Sequence, residues 1–216
     1  MVVDENKLKR RSSMREDALN LPNLLTILRI LLIPAVLVFM YQGTRAGNII
    51  AVLIFTAAAV TDVIDGWLAR RRGLTSVLGQ FLDPLADKLL ILAILLLAVE
   101  MGRIQAWPVI IIAGRELSVT ALRTIAISEG LVISASRGGK DKAALQNAAV
   151  SMLIVHNTYR IDFWLFDVTV SLNAVGYWLL LGSIFFALAS AGSYFSMFVD
   201  AVEAKEKRSR EGSTDP

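Results

Sequence analysis

Four aspartates, Asp62, Asp65, Asp83 and Asp87, stand in two pairs, inside stretches otherwise apolar enough to cross a membrane. An ionised carboxylate in hydrocarbon costs several kcal/mol, so an acid there marks a functional site by default. Spacings of three and four residues put each pair on one side of a helix. Four like charges in one layer repel, and protonation or a bound cation must relieve them. Carboxylate oxygens suit Mg²⁺ or Mn²⁺, which leave coordination positions for water and substrate phosphate. Gly66, Ala69 and Gly79 accompany the acids, with Arg70 at the end of the first run. At 100° per residue, Asp62, Asp65, Gly66, Ala69 and Arg70 fall within about 140° of one face, and Gly79, Asp83 and Asp87 within about 80° of another. Small residues there admit a ligand close to the backbone, although helix packing uses the same residues. An inert set of ion pairs to Arg29 or Arg123 is the structural alternative for the acids.

The elements that must position these residues are apolar helices. The chain has 216 residues, 55% of them hydrophobic, and a mean hydropathy of +0.58. Its apolar residues gather in six blocks, 23–41, 46–69, 79–99, 104–128, 143–159 and 171–197. Each is near the length of about 20 residues that spans roughly 30 Å of hydrocarbon. The expected fold is all-α, a polytopic six-transmembrane-helix bundle over residues 21–198. A charged N-terminal segment, 1–20, precedes it, and a charged tail, 199–216, read as solvated and disordered from about Glu203, follows it. Gln146, Asn147 and His156 interrupt the fifth block. The N-terminus lacks the apolar core and small-residue site of a cleavable signal. With no cysteine, disulfides and thiol chemistry are excluded.

Charge placement orients the bundle. Lys7, Lys9, Arg10, Arg11 and Arg15 precede the first block, Arg70, Arg71 and Arg72 follow the second, Arg137, Lys140 and Lys142 follow the fourth, and Lys205, Lys207, Arg208 and Arg210 follow the sixth. The opposite ends carry only Arg45, Arg103 and Arg160. The positive-inside rule then puts both termini in the cytoplasm. Measured along the helix axis from the inner ends, Asp62 and Asp87 lie roughly 12 Å deep and Asp65 and Asp83 about 6–8 Å deep. Arg29 and Arg123 lie roughly 8–9 Å deep, in the same layer. Arg115 and Glu116 sit deeper, where neutralising each other is one reading of the pair. Lys88 is read as a neighbouring counter-charge and His156 as structural. Trp107 and Trp164 are read as aromatic-belt anchors. The segment from Lys7 to Arg15 is either an interfacial helix on anionic lipid or a solvated tail.

The spacing Asp62-x2-Asp65-Gly66-x2-Ala69-Arg70-x8-Gly79-x3-Asp83-x3-Asp87 resembles, without gap or substitution, the signature of the CDP-alcohol phosphatidyltransferase family. The run Pro22-Asn23-x2-Thr26-x2-Arg29 is similar to the opening of the family's bacterial members that use a phosphorylated glycerol acceptor. So are Arg115-Glu116, Leu122-Arg123, the turn Ser136-x2-Gly139-Lys140-x-Lys142 and Gln146. Ala143 departs from the pattern, standing where threonine often continues that turn.

The resemblance implies a six-span fold and transfer of a phosphatidyl group from CDP-diacylglycerol to sn-glycerol 3-phosphate, with release of CMP. It implies two divalent ions, Mg²⁺ or Mn²⁺, held by Asp62, Asp65, Asp83 and Asp87. Asp87 would be the general base, with Asp83 beside it in the catalytic pair. Asn23, Thr26, Asp62, Asp65, Gly66, Ala69, Arg70 and Gly79 would bind the CDP-lipid. The acceptor's own phosphate calls for cations, and Arg115, Arg123, Lys140 and Lys142 are the candidates. The expected setting is the inner membrane of a bacterium, with the site facing the cytoplasm, a homodimeric assembly in the lipid bilayer and no nucleic-acid partner. Two alternatives remain: the same chemistry with another acceptor, as in cardiolipin, phosphatidylserine or phosphatidylinositol-phosphate synthesis, and a cation-coupled transporter. A transporter would spread its acids through the membrane's depth, often with repeat symmetry.

Overall fold

The structure, a computed structural model, describes residues 21–72, 77–129, 139–163 and 166–212. Within these ranges side chains are described except at 21–23, 62–84, 139–142, 161–168, 206 and 208–212. Among the described residues, six helices occupy the six apolar blocks: α1 Leu21–Tyr41, α2 Arg45–Arg72, α3 Val77–Glu100, α4 Ala106–Ser128, α5 Gly139–Val155 and α6 Leu172–Gly212. The chain divides into two compact units, Met1–Ala93 and Ile94–Pro216, the division falling within α3.

In the first unit α1 packs on α2. The Gly43 N–H closes the turn after α1 by donating to the Met40 carbonyl at 3.1 Å. Thr44 then caps α2, its Oγ1 accepting from the Gly47 N–H at 3.0 Å, which supplies one of the partners that a helix start lacks. Val36 and Met40 of α1 and Ala51, Phe55 and Ala58 of α2 are buried.

The second unit is organised at one point. The end of α3 is closed by two bonds, Gly102 N–H to the Val99 carbonyl at 2.9 Å and Arg103 N–H to the Ala98 carbonyl at 2.8 Å. This pairing needs a left-handed residue after the helix, and Gly102 supplies it at φ 69°. The closure delivers Arg103, only 5% exposed, into the interior. Its Nη1 donates to the carbonyls of Leu153 at 2.9 Å and Ile154 at 2.6 Å, capping the end of α5. Its own carbonyl accepts from Asn173 Nδ2 at 3.0 Å, in the first turn of α6. Burial pushes the Arg103 guanidinium below the usual arginine range, yet an arginine keeps its proton in proteins. The α5–α6 contact is close because Gly176 lets α6 approach. A Cβ there would meet the Ala149 carbonyl and the Met152 Cβ, each at 3.0 Å. Val150, Leu153 and Ile154 of α5 and Leu180, Ile184 and Ala187 of α6 are buried.

Among the described residues, each unit exposes large apolar side chains. Leu31, Leu53, Ile110, Leu117, Ile127, Trp178 and Phe185 are all more than 60% exposed, a pattern that marks a surface covered by lipid or protein. Among the described residues, two helices are long and apolar enough to cross a membrane, through Leu24–Tyr41 and Leu172–Lys205. Only 22% and 28% of those windows is buried, whereas the core helix of a soluble protein would be mostly buried. The apolar parts of α2 and α5 among the described residues are shorter, Arg45–Thr61 and Ala143–Val155.

Two expectations are corrected. The described residues are mostly helical, as an all-α fold requires, but at the end of the fifth block and beyond it Thr158–Phe163 (β1) and Phe166–Ser171 (β2) pair as an antiparallel hairpin. The fifth block accordingly stops being helical at Val155, four residues earlier than its hydrophobicity suggested. His156 ends it, with a left-handed φ of 48° and its N–H on the Met152 carbonyl at 3.0 Å. Alternating β-branched and aromatic residues then favour strands. The tail is not disordered from Glu203 either, since α6 continues to Gly212. Alanine, glutamate, lysine and arginine, all good helix formers, make up most of that run. Lys205 Nζ donates to Glu129 Oε2 at 2.7 Å and to the Glu129 carbonyl at 2.9 Å, joining this extension to the end of α4. The N-terminal segment 1–20 lies outside the described residues.

Arg103→Ala should destabilise the protein by about 3 kcal/mol, because two helix-terminal carbonyls lose a buried charged donor. Thermal unfolding of the detergent-solubilised chain measures this. Lys205 holds the Glu129 carboxyl below the usual carboxylate range, through its hydrogen bond first and its charge second. The contact is therefore fully present above the ordinary carboxylate pKa and is lost as pH falls through the depressed one. Spin labels at Ser128→Cys and Ala204→Cys should give a narrow distance distribution at neutral pH that broadens only below about pH 4. Adding Lys205→Ala should make it broad at every pH.

Candidate functional site

Two consecutive helices of the first unit carry the acids. Asp62 and Asp65 lie about 15 Å and about 10 Å along α2 from its end at Arg72. Asp87 and Asp83 lie about 15 Å and about 9 Å along α3 from its start at Val77. The helices run two residues past the ends assumed from hydropathy, which deepens each acid by about 3 Å and preserves the match. Residues 73–76 join them, so the two helix ends are at most about 19 Å apart. Gly66, Ala69 and Arg70 share α2 with the first pair, and Gly79 shares α3 with the second. The side chains of Asp62, Asp65, Arg70 and Asp83 lie outside the described ones.

Asp87 is described, and it is exposed. Its neighbours Ala86 and Leu90 are buried, at 0% and 2%, and Lys88 is half-buried. The backbone of α3 therefore turns one face, with Ala86 and Leu90, into the unit and carries Asp87 on an exposed face. On α2, Thr61 precedes the first acid, and its Oγ1 donates to the Ala57 carbonyl at 2.7 Å. That bond satisfies the hydroxyl within the helix.

The first helix adds two buried polar residues on one face. Thr26 is 2% exposed and Arg29 3% exposed, three residues apart. A buried guanidinium thus lies in the same unit as the helices that bear the four acids. The side chain of Asn23 lies outside the described ones.

The four cations expected to meet the acceptor belong to the second unit. Arg115, on α4, is engaged within it. Its Nη1 pairs with Glu116 Oε1, and its Nε donates to the Ala187 carbonyl of α6 at 3.3 Å. The side chains of Arg115 and Glu116 are 13% and 21% exposed. Arg115 is thus a tie between α4 and α6 as well as a candidate ligand. Arg123 is exposed, about 12 Å further along α4. Lys140 and Lys142 fall in the first turn of α5, with their side chains outside the described ones. Residues 130–138, which include Ser136 and Arg137, lie outside the described residues altogether.

Sequence reasoning passed over Arg103 and the Glu129–Lys205 pair. Arg103 counted only toward membrane orientation, and the pair joins residues 76 positions apart. No local pattern signals either one.

The sequence profile of the CDP-alcohol phosphatidyltransferase family matches residues 19–196. The chain is 35% identical over 196 residues to the CDP-diacylglycerol–glycerol-3-phosphate 3-phosphatidyltransferase of Bacillus subtilis (strain 168), covering 85% of this chain and 97% of the relative. It is 34% identical over 184 residues to a protein of the same name from Pseudomonas fluorescens, covering 83% and 87%. It is 40% identical over 139 residues to a probable phosphatidylglycerophosphate synthase of Mycobacterium tuberculosis (strain CDC 1551 / Oshkosh), covering 63% and 66%. With the eight signature positions intact on two consecutive helices, and a match running from before α1 into α6, the chain belongs to the CDP-alcohol phosphatidyltransferase family.

Proposed function

We infer that the protein transfers the phosphatidyl group of CDP-diacylglycerol to sn-glycerol 3-phosphate, giving phosphatidylglycerol phosphate and CMP. The observation that carries this is the unbroken acid signature in a chain that aligns with nearly the full length of a relative named for that reaction. In the step, an acceptor hydroxyl oxygen forms a bond to the lipid-side phosphorus of the diphosphate. The bond from that phosphorus to the bridging oxygen breaks, and CMP leaves with the electron pair.

The chain's own residues divide the work. Asp87, exposed on α3, accepts the proton of the attacking hydroxyl as general base. Asp62, Asp65, Asp83 and Asp87 fit divalent ions by donor chemistry, being hard oxygen ligands on two helices at matched offsets. When bound, two Mg²⁺ or Mn²⁺ would supply Lewis-acid stabilisation of the charge developing on the phosphates. Gly66, Ala69 and Gly79 admit the nucleotide close to the backbone, Arg70 pairs with a CDP phosphate, and Asn23 and Thr26 complete that side. Arg123, Lys140 and Lys142, with Arg115, hold the acceptor's phosphate. We read the protein as a six-span bundle with both termini in the cytoplasm, acting as a homodimer in a bacterial inner membrane. Its site would face the cytoplasm, where the water-soluble acceptor meets the lipid-borne donor.

Asp87→Asn should lower kcat by about 10²–10⁴, the usual weight of a general base, while CDP-diacylglycerol binding and the thermal midpoint hold. Turnover within a few-fold of the unmodified protein would remove Asp87 from the mechanism. Purified protein given CDP-diacylglycerol and Mn²⁺ should release CMP with sn-glycerol 3-phosphate, and not with serine, inositol phosphate or phosphatidylglycerol. Release with one of those instead would reassign the acceptor and leave the family chemistry standing.

A further inference from the structure

Between α5 and α6 the chain abandons the helix for two six-residue strands. Their register sets Tyr159 opposite Val170, Ile161 opposite Val168 and Phe163 opposite Phe166. The intervening pairs are Thr158 with Ser171, Arg160 with Thr169 and Asp162 with Asp167. Successive residues of a strand alternate between faces, so the register sorts the hairpin into one face with only apolar residues and one with only polar residues. The sequence shows this only once the pairing is known, because the sorting depends on both strands being in phase.

Such a hairpin is marginal in water without further strands or a covering layer. This sheet has two strands, and Tyr159 on the apolar face is 44% exposed. Its backbone is tied at the base, where the Leu172 N–H donates to the Asn157 carbonyl at 3.0 Å. Both roots lie on apolar helices. β2 runs without a break into Leu172, the first residue of the apolar span Leu172–Lys205, and β1 begins just after the apolar helix stretch Ala143–Val155. The base of the hairpin is therefore joined directly to a helix that offers apolar surface outward, where Trp178 is 70% exposed. Charge orients the hairpin. Asp162 and Asp167 stand directly opposite each other, an arrangement that is unfavourable unless water solvates both. The polar face must stay wet, and the apolar face must not.

We propose that the hairpin is a membrane-interface paddle. Its apolar face, Tyr159, Ile161, Phe163, Phe166, Val168 and Val170, lies in the headgroup boundary of the leaflet where α5 ends and α6 begins, and its polar face looks to water. The occupant of the face is lipid. Strands of about 20 Å lying about 5–10 Å into that boundary would fix the height at which both helices meet the bilayer.

The absence of cysteine makes the test direct. Ile161→Cys and Val168→Cys probe the apolar face, and Arg160→Cys and Thr169→Cys the polar face, each in the full-length protein in phosphatidylcholine–phosphatidylglycerol vesicles. The apolar-face thiols should react with a membrane-impermeant maleimide roughly tenfold more slowly than the polar-face thiols, with the reagent on the hairpin's side. A fluorophore at the apolar positions should be quenched by lipids spin-labelled near the headgroup, and a fluorophore at the polar positions should not. Equal reactivity and quenching on the two faces would overturn the proposal. So would efficient cross-linking of Ile161→Cys between two copies, which would assign the face to a protein interface. Tyr159→Cys and Val170→Cys, nearer the hairpin's base, repeat the reading if a central substitution disturbs the strands.

Discussion

The buried guanidinium of Arg103 is the interaction on which the second unit depends. Helices that present apolar surface outward gain little from a hydrophobic core, so polar contacts at their ends carry much of the specification. Arg103 makes three such contacts at once. Its amide closes α3, its side chain caps α5 and its carbonyl receives α6. A guanidinium suits this place because the two hydrogens of one Nη serve two adjacent carbonyls while the group keeps its charge. Gly102 is a condition of the arrangement, since only a left-handed residue there turns the chain so that Arg103 points inward.

The same economy appears along the rest of α6. Gly176 permits its close approach to α5, Arg115 ties it to α4 through the Ala187 carbonyl, and Lys205 ties its extension to the end of α4. Segment 130–138 runs from the Glu129 end of this last tie to the start of α5, and α5 opens with two of the candidate acceptor cations, Lys140 and Lys142. In the first unit, the order and offsets of the acids are set within single helices. Their placement follows from the regular rise of α2 and α3. A family that keeps eight positions at fixed spacing is using the helix as a ruler, and catalysis by positioning and charge requires little else of the backbone.

The amphipathic hairpin shows a different use of local structure. The chain could have joined α5 to α6 with a short loop, yet it builds paired strands whose register separates apolar from polar residues. A face of that kind has meaning only beside a second phase, which links the hairpin to the environment of the helices it connects.

What the sequence determined by itself was local. Six helices, the two that carry the acids, and the spacing of Asp62, Asp65, Asp83 and Asp87 were legible, because hydrophobic blocks and helical periodicity operate over a few residues and survive without knowledge of neighbours. The tertiary structure decided what lies far apart in the chain: Arg103 with Leu153 and Ile154, Arg115 with Ala187, and Lys205 with Glu129. It also decided that the fifth block ends at Val155 and that residues 158–171 form strands in one register. Hydrophobicity alone counted those residues as helix and loop, because a strand's two-residue period acquires a meaning only when its partner is in place.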